Sequence, residues 1–299
     1  MIFQKPKILL LITTILSLFF VSCGDDAKNE NRNDIVVSDS LNTATLKSQE
    51  TFFQVPSPSE MLNFIKLIGS NNNKNVSFLN SVSNLKSYSD NKSKALNFGV
   101  YGCDLSYCSI FDIGGETINY FKTIKQLGDQ IGVSSVLKPE ILKRLQDNLN
   151  NPDSLSIISD DIYFSSFETL EASKQGSTLV LVIVGGWVEG LYIVTNLAKF
   201  EENSPIIQRF ADQKYTLDNL LEFLRQYEND KNVASVLKQL QELKEEFDQI
   251  KEKDAAPVSL KEKNKKIIAG GKDLVLTAEQ YNRIVNKIKI IRNSFTLTN

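Results

Sequence analysis

The chain has 299 residues, 34 Lys+Arg against 36 Asp+Glu, and no His. Apolar residues make up 41% and charged residues 23%, which are globular proportions that fit no collagenous or low-complexity class. Without His there is no Ser-His-Asp triad, no Cys-His dyad, no zincin helix and no His-ligated haem or copper. The near-neutral balance argues against a nucleic-acid partner.

Residues 1–22 read as a signal peptide. Lys5 and Lys7 form a positive start, and residues 8–21 are an apolar run. That run is shorter than the about 20 residues a membrane span needs, and it suits an export signal. It ends in Phe20-Val21-Ser22-Cys23, which resembles the lipobox of bacterial lipoproteins, with Phe20 where Leu is typical. The resemblance implies that Cys23 is acylated, with palmitate among its chains, and becomes the new N-terminus. Gly24-Asp25-Asp26 resembles the acidic export signal of Bacteroidota lipoproteins. Together they imply a lipid anchor in the outer membrane, displayed at the cell surface, with the periplasmic face as the alternative. Several acyl chains hold firmly where one holds weakly, so no transmembrane helix is needed.

Residues 23–50 are polar and lack an apolar period, as a flexible tether does. A single helical domain is expected over 51–299, opening at the apolar cluster Thr51–Pro56. Ser57-Pro58-Ser59-Glu60 is a capping box with Pro at the first helical position. Met61, Phe64, Ile65 and Ile68 follow at helical spacing up to Gly69, and Asn71–Asn73 make a turn. Val76, Leu79, Val82 and Leu85 predict a second helix. Leu96, Val100, Cys103, Tyr107 and Ile110 predict a third, and Gly114-Gly115 a break. Ile118 to Ile131 form the next stripe, with Gly132 as its stop. Pro139 and Pro152 each open a further helix.

Residues 177–199 are apolar on every side, the mark of a central buried helix or a membrane span. Glu189, deep in the run, favours the buried helix, because mid-bilayer charges are costly. Gly186 and Gly190 have a spacing that admits another backbone at close range. Ser204-Pro205 and Thr216 open two more helices. Val233 to Ile250 make a long amphipathic helix reaching about Lys253. Residues 258–276 read as a charged link, and Thr277–Gln280 is a second capping box leading the last helix. The expected fold is all-α, an irregular bundle of about ten helices around the 177–199 helix.

Four segments, Tyr101–Tyr107, Asn119–Lys122, Asn151–Leu155 and Gly185–Tyr192, resemble an uncharacterised family of Bacteroidota outer-membrane lipoproteins. The resemblance implies a location and no mechanism.

Candidate sites are few. Cys103 and Cys108 are five residues apart, about 7.5 Å along a helix and diverging around it, so a continuous helix keeps them as separate thiols. Two soft ligands with no His make no metal site. Glu189 must be paired, protonated or functional, with Asp104 and Tyr107 as possible neighbours on another buried helix. Trp187 and Tyr192 could complete a ligand pocket or a structural polar core around it. Gly270-Gly271-Lys272-Asp273 and Gly185-Gly186-x-x-x-Gly190 both fail as nucleotide loops, so no cofactor is expected. The expectation is a non-enzymatic interaction or scaffold module, joined to the membrane through Cys23 and to an envelope protein complex. The alternative is a solute-binding lipoprotein with a pocket near Trp187, Glu189 and Tyr192. Nine Lys+Arg against three Asp+Glu fall between Pro257 and Asn299, and the stretch from Cys23 to Ala256 carries 23 against 33. Lys261, Lys263, Lys265 and Lys266 in the link could meet an anionic surface.

Overall fold

The computed structural model describes residues 55–68, 74–254, 258–262, 265–269 and 272–297. The signal peptide, Cys23, the tether, Phe52-Phe53, Gly69, the Asn71–Asn73 turn, Lys263 and Gly270-Gly271 lie outside the described residues.

Among the described residues ten α-helices run in chain order: α1 Pro58–Ile68, α2 Asn91–Ile110, α3 Gly114–Ile131, α4 Pro139–Asp147, α5 Pro152–Ala172, α6 Gly176–Leu197, α7 Pro205–Ala211, α8 Gln213–Arg225, α9 Lys231–Phe247 and α10 Ala278–Thr296. Local chemistry sets most of their starts. Ser57 and Glu60 cap α1 reciprocally, with the Ser57 N–H donating to Glu60 Oε2 at 2.7 Å and the Glu60 N–H to Ser57 Oγ at 3.2 Å. Thr277 and Gln280 do the same for α10. Asn151 caps α5 ahead of Pro152, and Ser204 caps α7 ahead of Pro205. Gly132 ends α3 in the left-handed region at φ 93°, where a Cβ would be strained.

The 177–199 prediction holds. Helix α6 is buried from Leu179 to Leu191, and its widest contact is with α2. Glycines let these two backbones meet. A Cβ on Gly99 would fall 2.0 Å from the Val182 carbonyl oxygen, and one on Gly185 would fall 2.0 Å from that of Leu96. The close approach foreseen at Gly186 and Gly190 therefore centres one residue earlier, on Gly185. Helices α1 and α10 also pack on α6. The described residues all belong to one compact unit, Thr43–Asn299.

Five expectations change. The stripe Val76–Leu85 is not an α-helix: the segment is irregular up to a 3₁₀ turn at Val82–Ser87, capped by Ser81. Leu79 is buried, and the 3₁₀ turn packs on α3. Gly114-Gly115 does not interrupt the chain; it opens α3. Thr216 lies inside α8, which starts at Gln213. Helix α9 stops at Phe247, and the charged link is a nested antiparallel hairpin. Strand β1 (Lys251–Asp254) pairs with β4 (Lys272–Val275), and β2 (Val258–Glu262) pairs with β3 (Lys265–Ala269). Leu274 and Leu276 are buried and fix the base of this arm.

Candidate functional site

Glu189 is the only charged residue in α6 and is 0% exposed. A carboxylate there needs a donor. The donor is Arg292 on α10, whose stripe Tyr281, Ile284, Ile288, Ile291 and Phe295 faces the core. Arg292 stands one turn after Ile288, so its stem enters with the stripe. Its Nε donates to Glu189 Oε2 at 2.9 Å and its Nη2 to Oε1 at 3.1 Å. This two-pronged geometry matches a guanidinium to a carboxylate and fixes both side chains. Tyr192, nearly one turn beyond Glu189, places its ring 4.6 Å from the Arg292 guanidinium carbon. Burial alone would depress the guanidinium; Glu189 outweighs it, and Arg292 is held above its ordinary range.

Asp104 on α2 joins the pair. It is 0% exposed, and its Oδ2 accepts from the Asn80 N–H at 3.3 Å. Its Oδ1 is buried with no hydrogen-bond partner among the described residues. Burial, and then the charge of Glu189, push Asp104 well above the usual carboxyl range despite the pull of Arg292. Asp104 is therefore biased toward its neutral, protonated form beside the Glu189–Arg292 pair.

A polar network continues from it. Asn80 Nδ2 donates to the Tyr88 hydroxyl at 3.0 Å and to Asn97 Oδ1 at 3.2 Å. Asn97 Nδ2 donates to the Phe295 carbonyl at 2.7 Å, and the Tyr88 hydroxyl to that of Thr296 at 3.1 Å. The last carbonyls of α10 thus receive donors from α2 and from the loop before it. Tyr120 on α3 adds a bond to the Asn80 carbonyl at 3.1 Å. Burial raises the hydroxyls of Tyr88, Tyr101 and Tyr120.

The residues expected from sequence divide into two groups. Glu189, Asp104 and Tyr192 come together around Arg292. Trp187 turns away: it is buried, and its Nε1 donates to Gln213 Oε1 on α8 at 3.0 Å. Tyr107 donates to the Asn75 carbonyl at 3.0 Å and stacks with Phe78 and Phe111. Cys103 and Cys108 are free, buried and on one unbroken helix, and burial raises both thiols. Such thiols are poor nucleophiles. The described residues hold no cluster of three or more potential metal ligands.

The pocket foreseen near Trp187, Glu189 and Tyr192 does not coincide with the surface grooves. Grooves of about 640, 630 and 620 Å³ lie along Ala198–Ile206, between α4 and α5, and between α1 and α8. None of the three is lined by those residues. Arg292, Asn80, Asn97 and Gln213 were not foreseen. Only Arg292 left a signal, as a charge set against the apolar stripe of α10.

No family model, curated protein or solved structure matches the chain.

Proposed function

We propose that this chain is a lipoprotein anchored in the outer membrane through acylated Cys23, whose helical body is a non-enzymatic interaction or scaffold module. The observation that carries the reading is the closure of Glu189 on Arg292. The one charged residue of the central helix is engaged within the core, where it docks α10. Trp187 is likewise engaged by Gln213. The chemistry at the centre is thus the chemistry of assembly. The lipobox-like Cys23 and the polar stretch after it support a body held at a distance from a membrane. On α5, Ile157 is 61% and Phe164 38% exposed, two turns apart. An envelope protein complex would bind such a body.

Cell fractionation tests the anchor. Cys23→Ala should move the chain from the membrane fraction to the soluble fraction. A Cys23→Ala chain that stays in membranes after carbonate washing would refute the lipoprotein reading. Cross-linking at Ile157 and Phe164 in intact cells should trap an envelope protein, and its absence would refute the scaffold role of that face.

A further inference from the structure

We propose that the outward face of α5 is a docking surface for a basic amphipathic helix of an envelope protein. Helix α5 carries five carboxylates, Asp153, Asp160, Asp161, Glu168 and Glu171, and no Lys or Arg in 21 residues. Its core face is set by Leu155, Ile158, Ile162, Ser166 and Leu170. On the opposite side Asp153, Ile157, Asp161, Phe164 and Glu168 follow at steps of four, four, three and four, so they form one stripe about 22 Å long. All five are exposed.

The apolar members form an anchor pair. Ile157 and Phe164 are seven residues apart, a spacing at which one helix engages another. Tyr163 meets the Phe164 ring edge-on, with centroids 5.4 Å apart and planes at 79°, so the ring is oriented before a partner arrives. The charges indicate what the partner brings. Asp161, between the anchors, pairs with Arg144 of α4 at 3.0 Å. Among the described residues Asp153 and Glu168, at the two ends of the stripe, have no ion pair. Glu168 and Glu171 also stand three residues apart near the C-terminus of α5, where the helix dipole and a like-charged neighbour both disfavour a carboxylate. The last turn holds no base to offset them.

Charge selects among the occupants. The stripe reads the same in both directions, so an antiparallel second copy would lay Ile157 on Phe164 and also Asp153 on Glu168, carboxylate against carboxylate at both ends. An anionic membrane surface is repelled for the same reason. A helix with apolar residues at its middle and Lys or Arg toward its ends satisfies the anchors and the carboxylates together.

This assignment rests on the interaction-module reading and names the chemistry of the partner. Its test uses purified protein and a synthetic peptide, so a partner trapped in cells together with a failed peptide test overturns the basic helix and leaves the module standing. The chain from Cys23 onward contains the whole compact unit Thr43–Asn299. It is titrated into a labelled helical peptide whose one face carries two Leu seven residues apart and a Lys four residues beyond each, and into a twin with Glu in place of Lys. Fluorescence anisotropy reads binding at low and high salt. Binding is expected for the Lys peptide alone and should weaken with salt. Phe164→Ala should weaken it about tenfold, and D153N/E168Q about threefold for each carboxylate. Glu279→Gln, which removes an exposed carboxylate on α10, should leave it unchanged. Circular dichroism of every variant should match the wild type, since each side chain lies on the surface. No binding of the Lys peptide, equal binding of its Glu twin, or binding unchanged in Phe164→Ala or in D153N/E168Q overturns the proposal. Self-association without peptide that Phe164→Ala abolishes also overturns it, and assigns the face to a second copy of the chain.

Discussion

Asp104→Asn is the sharpest probe of the buried cluster. In the unfolded chain an Asp ionises near 3.9, whereas in the folded protein burial and Glu189 hold Asp104 in its protonated form well above that value. Above the unfolded value the native state keeps a proton that the unfolded state has lost. Stability therefore falls as pH rises, until the folded carboxyl itself ionises. The slope from one such group is at most about 1.4 kcal/mol per pH unit, so its ceiling between pH 5 and 8 is about 4 kcal/mol. Asn removes the proton equilibrium and keeps the shape. Its oxygen can accept from the Asn80 N–H as Asp104 Oδ2 does. Few other groups interfere in this window. The buried thiols and tyrosine hydroxyls contribute only near and above their own unfolded values, about 8.5 and 10. Asp90, Glu242 and Glu252 are lowered, so their contributions are already complete above pH 5. Asp160 is the other described carboxyl raised by burial, and it is common to both proteins. Urea unfolding at pH 5, 6, 7 and 8 should show the variant gaining on the wild type with each step. Parallel curves would mean that burial does not hold Asp104 in its protonated form.

Three further outcomes follow from the same geometry. Glu189→Ala and Arg292→Met should each cost about 3–5 kcal/mol, because each leaves one buried charge alone, while Glu189→Leu with Arg292→Met should recover most of the loss in urea unfolding. Gly99→Ala and Gly185→Ala should each cost about 1–3 kcal/mol or prevent folding, since each new Cβ meets a carbonyl oxygen at 2.0 Å, whereas Gly102→Ala, with open space around its Cβ, should be tolerated. Cys103 and Cys108 should resist a thiol reagent in the native state and react together on unfolding; rapid native labelling would show that the α2–α6 contact opens.

Helix starts were legible because they rest on local chemistry. Ser57, Asn151, Ser204 and Thr277 each accept from the amide three residues on, and Pro fixes the first turn beside three of them. The all-apolar α6 was legible because no surface helix can carry such a sequence. The arm was not. Its strands are four or five residues long, their partners are each other, and lysines mask the short runs Val258, Leu260, Ile267 and Ile268. Strand pairing is a non-local choice, and the apolar period that marks a body-facing strand is missing. The 76–85 segment failed for the opposite reason. Its period of three was genuine, yet it reports a stretch draped over the tyrosines of α2 and α3, with Tyr101 donating to the Ser81 carbonyl and Tyr120 to that of Asn80. Glu189 and Asp104 could each be singled out from sequence. Their meeting depends on α10, 103 residues further along from Glu189, bringing Arg292 between the elements.

That long-range partner explains why a charge is tolerated at the centre. An apolar stripe of Tyr281, Ile284, Ile288, Ile291 and Phe295 laid on an apolar helix has little to fix its register. A slip of one turn, about 5.4 Å, would exchange one set of aliphatic contacts for another. The Glu189–Arg292 pair removes that freedom. In any other register both charges are buried without a partner, which costs several kcal/mol. Asn97 and Tyr88 add to the same choice, because they reach the Phe295 and Thr296 carbonyls only in this alignment. Two residues separate β4 from α10, so the register of α10 also sets where the arm begins. A charge in the core thereby bears on where the arm begins. The near-recovery expected of Glu189→Leu with Arg292→Met bears on this directly. If stability returns while amide exchange along α10 becomes heterogeneous, the pair serves register; if the helix stays uniquely docked, packing of the stripe is sufficient by itself.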